Sequence, residues 1–344
     1  MTRRQAHRAM SKREMAVNTK LKDLKKARVF ELVLVSSTVL LCSCAHYKCD
    51  PEYAGPGKRS AELLQYYSYP RQQIEAKVEK NGEKKHYLVQ RIEFPSALNV
   101  FGTENIKIEF YVQKKTGKFP TILILPISGG IDFSVRGFAK LFASNGFNCA
   151  VVHNRHVDLD DTETAEEVEN YFRQTVLDNR QILDYLVARE EVDGDRLGCL
   201  GLSLGGIRAS MIAGVDERLK CTVMGLAGGS IADINLLSDK KEIREYLEKL
   251  IEMGISSEII YAELSDKVIT DPLRLAQYTD ARNVLMFTAM FDRVVPRKCC
   301  DQLRKAIGKP ETVYLLSGHY GSFLYLPYAE RKSLSFFKEK FEIR

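Results

Sequence analysis

From residue 86 onward, apolar runs short enough for strands alternate with longer segments of helical spacing, and that alternation leaves few folds open. FPTILILPISGG is apolar throughout and closed by glycines, as a strand buried on both faces must be. FNCAVVH, LGCLGL, KCTVMGLAGG, NVLMFTAM and ETVYLL repeat the pattern, and HYLVQRIEF and NIKIEFYV read as an opening pair of strands. Between them lie FSVRGFAKLFASNG, the span 163–189 with Val168, Phe172, Val176, Ile182 and Leu186 on one helical face, GIRASMIAG, and helices near 297–307 and 328–341. Strands that alternate with helices imply a mostly parallel sheet with helices on both faces. One block breaks the rhythm. Residues 231–275 are helical and charged with no strand between, and 89 residues separate Ser203 from Asp292. Two strand–helix steps need roughly 60 residues, so the excess is expected to form a helical cap over the ligand-binding end of the sheet.

Within this frame Gly201-Leu202-Ser203-Leu204-Gly205 matches G-x-S-x-G. The pattern describes a strand-to-helix turn so tight that its central residue is strained, with the serine hydroxyl presented above the sheet. Such a match is weak by itself; its position after a buried strand and before a helix is what gives it weight. A serine nucleophile needs a base, and His319 is the one histidine that follows an expected strand downstream (ETVYLLSGHYG). The base needs an orienting acid. Asp292, in MFTAMFDRVVP, lies just past the preceding strand; Asp271 precedes that strand and Asp301 falls within a helix, so Asp292 is preferred. The oxyanion is expected to be held by the backbone N–H of Leu204 and by a second from the LPISGG loop, either Ile127 or Ser128.

The elbow GLSLGG, the acid loop FDRVVP, the histidine loop SGHYG and the lead-in VDGDRLGCLG together resemble an α/β-hydrolase over about 105–340. The lead-in and DPLRLAQ are similar to the dienelactone-hydrolase and prolyl-oligopeptidase-like branches and to acetyl-ester hydrolases. Dienelactone hydrolases carry a cysteine where this chain has Ser203, the oligopeptidases carry an N-terminal propeller for which there is little room, and the lipase HGGG loop is replaced around Pro126. The resemblance implies a serine hydrolase with the order Ser203, Asp292, His319. A carboxylic ester is the expected substrate; a peptide or amide is the alternative, and a hydrolase-fold binding protein that has lost activity is the third reading. No cofactor and no metal are expected.

Charge is distributed unevenly. Residues 1–44 hold ten Lys/Arg against three acids, and the remaining 41 Lys/Arg meet 42 Asp/Glu. So near-neutral a body offers no electrostatic footprint for nucleic acid. The basic stretch leads into Leu32–Leu41, an apolar run too short to span a bilayer as a helix but suited to the core of a secretory signal. It ends in Leu41-Cys42-Ser43-Cys44, which resembles a bacterial lipoprotein box, with Cys42 where a smaller residue is usual. The expectation is therefore a signal segment over 1–44 lipidated at Cys44 (an ordinary signal peptide or an uncleaved anchor is the alternative), a tether over 45–80 and a hydrolase domain over 81–344, in an exported, membrane-anchored protein. HNRHVDLDD (His153 to Asp161) could offer His153, His156, Asp158 and Asp160 to a metal, but substrate contact is the better reading at the C-terminal end of a strand. Of the cysteines, 149, 199 and 221 fall in expected central strands and behave as small apolar residues, and Cys299-Cys300 as packing.

Overall fold

The structure is a computed structural model that describes residues 45–155 and 164–343. Ten strands are present among them: β1 (Ala45–Tyr47), β2 (Lys77–Glu83), β3 (Tyr87–Pro95), β4 (Asn105–Gln113), β5 (Phe119–Leu125), β6 (Asn148–Val152), β7 (Val192–Leu202), β8 (Leu219–Gly225), β9 (Val284–Ala289) and β10 (Glu311–Leu315). They form one sheet in the order β1-β10-β9-β8-β7-β5-β6-β4-β3-β2. The six strands from β10 to β6 in this order run parallel, and β1, β4, β3 and β2 pair antiparallel at the two sides. The apolar runs explain the split: every residue of β6 and β9 is buried, as a strand covered on both faces requires, whereas β2 is almost wholly exposed.

The helices are α1 (Ala61–Tyr66), α2 (Phe133–Ser144), α3 (Ala165–Val187), α4 (Leu204–Val215), α5 (Ile231–Leu237), α6 (Lys241–Glu252), α7 (Ser257–Lys267), α8 (Pro272–Ala276), α9 (Arg297–Ile307) and α10 (Leu326–Lys340). Helix α3 begins with a capping box in which Thr164 and Glu167 each satisfy the other's backbone N–H. Helix α4 is buried on all sides from Gly205 to Val215, so its apolar composition carries no amphipathic stripe. The block expected as a cap resolves into α5 to α8, held down by Leu247 and Leu250 of α6 and Ile260 and Leu264 of α7.

The stretch 45–80 is not a free tether. β1 zips antiparallel onto β10, with Ala45 opposite Tyr314. Arg59 donates to the carbonyls of Gly214 (2.8 Å), Ala213 (3.1 Å) and Tyr278 (3.2 Å), the unsatisfied C-terminal acceptors of α4 and the α8 turn. Tyr67 is fully buried, its hydroxyl 2.9 Å from Thr270 Oγ1, and Tyr66 and Tyr69 donate to Glu169 (2.7 Å) and Asp184 (2.6 Å). Aromatic side chains bury more area than a polar segment of this length otherwise could, and that pins it as a strap. Residues 1–44, Cys44 among them, lie outside the described residues.

Candidate active site

The site forms where the connections of two neighbouring parallel strands diverge. From β5 the chain passes through α2 to β6 on one side; from β7 it passes through α4 to β8 on the other. A crevice opens at the C-terminal ends of strands so arranged. The register places Leu125 beside Gly201, so Ile127 and Ser203, each two residues on, come level across that crevice.

Ser203 occupies the turn between β7 and α4 at φ 54°, ψ −121°, a conformation that costs a residue with a Cβ on the order of 1–3 kcal/mol. Its N–H donates to Gly225 O at 2.7 Å. The flanking glycines are required by space: a Cβ on Gly201 would stand 2.0 Å from Gly205 O, and one on Gly205 2.2 Å from Leu125 O. Nothing larger fits a turn that folds this tightly against its own sheet.

Ser203 Oγ lies 2.9 Å from His319 Nε2, and His319 Nδ1 lies 2.7 Å from Asp292 Oδ2. The Asp292 side chain is fully buried, and its other oxygen accepts from the N–H groups of Val294 and Val295, both at 2.9 Å. A carboxylate held this way can only accept, so the imidazole hydrogen belongs on Nδ1 and the Nε2 lone pair faces the serine. Three residues from three different loops are thereby brought into line. The other two acid candidates are engaged elsewhere. Asp271 caps α8 and accepts from the N–H groups of Ser230 (3.2 Å), Ile231 (2.6 Å) and Leu273 (2.7 Å), and Asp301 accepts from Tyr314 (2.7 Å).

Leu204 is the first residue of α4, so its N–H has no acceptor within the helix. Ile127, Ser128 and Leu204 all line the cavity that contains Ser203. Gly130 N–H closes a turn onto Ile127 O at 2.9 Å. A positioning device that the sequence did not announce holds this loop. Asn154, just after β6, donates to Ile127 O at 2.8 Å and to Ser128 O at 3.3 Å. Its own Oδ1 accepts from Arg208 of α4, a buried arginine whose guanidinium also meets the hydroxyl and ring face of Tyr171. An arginine in the middle of a largely apolar helix was the available signal.

The cavity holds about 790 Å³. One wall is apolar: Phe172 of α3, Ile207 of α4, Ile231 and Ile234 of α5 and Ile243 of α6. His153 also lines it, with its ring pushed below the usual histidine range chiefly by burial, against the pull of Glu109 4.0 Å away. His156, Asp158 and Asp160 lie outside the described residues; among those described, no group of three His, Cys, Asp or Glu could hold a metal ion. Cys149, Cys199, Cys221, Cys299 and Cys300 are free and buried, and burial pushes their thiols up.

The sequence profile of the prolyl oligopeptidase family matches residues 133–343. An uncharacterised protein of Mycobacterium tuberculosis is 31% identical over 157 residues, 44% of this chain and 34% of the relative. The chain thus spans about a third of the length of that curated relative. A hydrolase of Bacillus subtilis, described as putative, is 40% identical over 48 residues, covering 14% of this chain and 16% of the relative. Among solved structures, an acetyl xylan esterase from Paenibacillus sp. R4 superposes with a TM-score of 0.64 at 20% identity, covering 82% of this chain and 99% of that one. A puromycin-hydrolyzing peptidase of Mycobacterium tuberculosis gives 0.52 at 16% identity, covering 77% of this chain and 45% of that one. At such identities these likenesses speak to the fold, which is that of the α/β-hydrolases.

Proposed function

This chain belongs to the prolyl oligopeptidase family, and on that premise we propose that it is an exported serine hydrolase that cleaves a carboxylic ester through an acyl-enzyme. The observation that carries the reading is the aligned relay from a strained Ser203 through His319 to a buried Asp292, at 2.9 and 2.7 Å. In this reading His319 Nε2 takes the Ser203 proton as Oγ attacks the acyl carbon, and Asp292 stabilises the imidazolium that results. The tetrahedral oxyanion accepts from Leu204 N–H and from Ile127 or Ser128 N–H. His319 then protonates the leaving alkoxide. Water attacks the acyl group by the same route in reverse roles, releasing the acid and restoring the serine. No cofactor enters any of these steps. The apolar wall of α3 to α6 suits an acyl chain better than a charged substituent. Export and a lipid at Cys44 are the part of the proposal that rests on the sequence of the leader.

A fluorophosphonate probe is expected to label the wild-type chain and not Ser203→Ala; equal labelling of both removes Ser203 from the reaction. The family's own description favours a second reading, in which the scissile bond is an amide. Comparing p-nitrophenyl esters with aminoacyl-nitroanilides decides between them, and faster turnover of the anilides would make the chain a peptidase.

A further inference from the structure

Six large apolar side chains stand in water on the segments that follow the C-terminal ends of β5, β9 and β10: Phe133, Phe291, Leu316, Tyr320, Phe323 and Leu324, from 36% exposed at Phe323 to 72% at Phe133 and Leu324; Tyr320 and Phe323 also line the cavity. Tyr320, Phe323 and Leu324 share one 3-10 turn directly after His319. The Phe133 ring lies 5.9 Å from that of Phe323. Phe291 N–H donates to Ser317 O at 3.0 Å, which ties the loop after β9 to the loop after β10 that carries Leu316. Isolated exposed apolar residues need no explanation, but a collar of them on neighbouring loops at the end of the sheet that holds the pocket does.

The place where the leader joins the body suggests what covers the collar. Ala45 pairs with Tyr314, and β1 runs antiparallel to β10, so β1 begins at the C-terminal end of β10. That is the end of the sheet from which the His319 loop departs, and it is four strand spacings, roughly 19 Å, from β7. The chain that carries the apolar run and the expected lipid at Cys44 therefore enters the body at the end of the sheet from which these loops depart. The geometry points to a lipid bilayer as the collar's occupant: the protein lies on the membrane with its cavity mouth facing the lipid, and takes its ester substrate from the bilayer. This rests on the proposed hydrolase function and membrane attachment, and it goes beyond them in fixing which face meets the lipid. Aromatic and leucine side chains at a headgroup boundary are the composition expected of such a contact.

The test uses the full chain on phosphatidylethanolamine/phosphatidylglycerol vesicles that carry a lipid-borne quencher. An environment-sensitive fluorophore is placed through Leu324→Cys in the collar or through Glu190→Cys, an exposed residue before β7 at the opposite end of the sheet, and the unsubstituted chain sets the labelling background. The expected result is quenching several-fold stronger at 324 than at 190. Phe133→Ser with Leu316→Ser, neither of which lines the cavity, should weaken the quenching at 324 roughly tenfold while turnover of a soluble short ester stays within about twofold. Equal quenching at both positions, meaning a body that tumbles on its leader, overturns the inference; so does quenching at neither. A blue shift at 324 that needs no lipid would assign the collar to a second copy of the chain and also overturn it. Fluorophosphonate labelling, read without vesicles, reports separately whether the hydrolase reading stands.

Discussion

The loop that carries Asp292 and the strap that carries Tyr67 both keep polar atoms satisfied away from water, by opposite means. After β9 the chain turns back on itself, and Asp292 takes N–H groups from residues two and three places ahead. In the strap the anchoring side chains reach remote partners: Tyr66 reaches Glu169, Tyr67 reaches Thr270, and Arg59 reaches the end of α4. A local turn fixes one carboxylate within narrow limits and does little to hold distant elements together. A set of long-range bonds with buried rings does the reverse. The difference teaches that rate and stability should be separable in this molecule, because different segments supply them.

The sharpest way to test that separation is Asp292→Asn. It keeps the shape of the side chain but can favour the wrong histidine tautomer, so kcat should fall roughly 10³–10⁴-fold while the thermal midpoint moves little. A comparable loss of stability would mean that the acid loop is structural after all. Next in size is Tyr67→Ala, which empties a fully buried ring site and should cost about 3–5 kcal/mol in urea unfolding. Turnover per folded molecule, counted by fluorophosphonate titration, should not change; a fall would merge the two regions into one functional unit. Asn154→Ala lies between the two regions in kind. It frees the loop of Ile127 and Ser128, and kcat should drop roughly tenfold with KM nearly constant, as for a group that acts by positioning oxyanion donors. A rise in KM alone would place Asn154 in substrate binding.

The smallest expected effect concerns Glu169. Burial, opposed by hydrogen bonds from Thr270 and Tyr66, holds its carboxyl above the usual range. The folded state therefore binds this proton more tightly than the unfolded chain does. Stability from this source is full below the unfolded value of about 4.3 and is lost as pH rises through the raised folded value. Glu169→Gln should flatten that part of the stability–pH curve, measured as urea midpoints across the acidic range. An unchanged slope would show that the curve belongs to other groups.

These two regions also differ in how far the sequence exposed them. The elbow was legible because its steric demand falls on residues two places from Ser203, where only glycine avoids backbone atoms. Asp292 and His319 followed from strand order, since each comes just after a fully apolar run. The strap was hidden for a physical reason. Tyr53, Arg59 and Tyr67 contact the body at irregular intervals, so no period of two or 3.6 marks them, and the Gly and Pro between them read as linker. Asn154 was hidden for another: its partners at 127 and 128 lie across a crevice whose register no local pattern reveals. β2 escaped because its exposed residues Lys77, Glu79 and Lys80 give alternation without an apolar face.

That last strand has a consequence for how the protein keeps company with its own kind. Among the described residues the sheet of ten strands has two borders, each a row of backbone groups on which another chain could add a strand. One border is β2, charged along its length, broken by a bulge between Lys80 and Gly82, and laced by Lys77–Glu79 and Lys80–Glu83 ion pairs. The other is β1, three residues long. Charge, irregularity and brevity are the devices by which natural sheets avoid fibrous growth. With both borders so guarded, a nascent or partly unfolded chain has little template for runaway strand addition, even though its parallel strands are among the most apolar segments in the sequence.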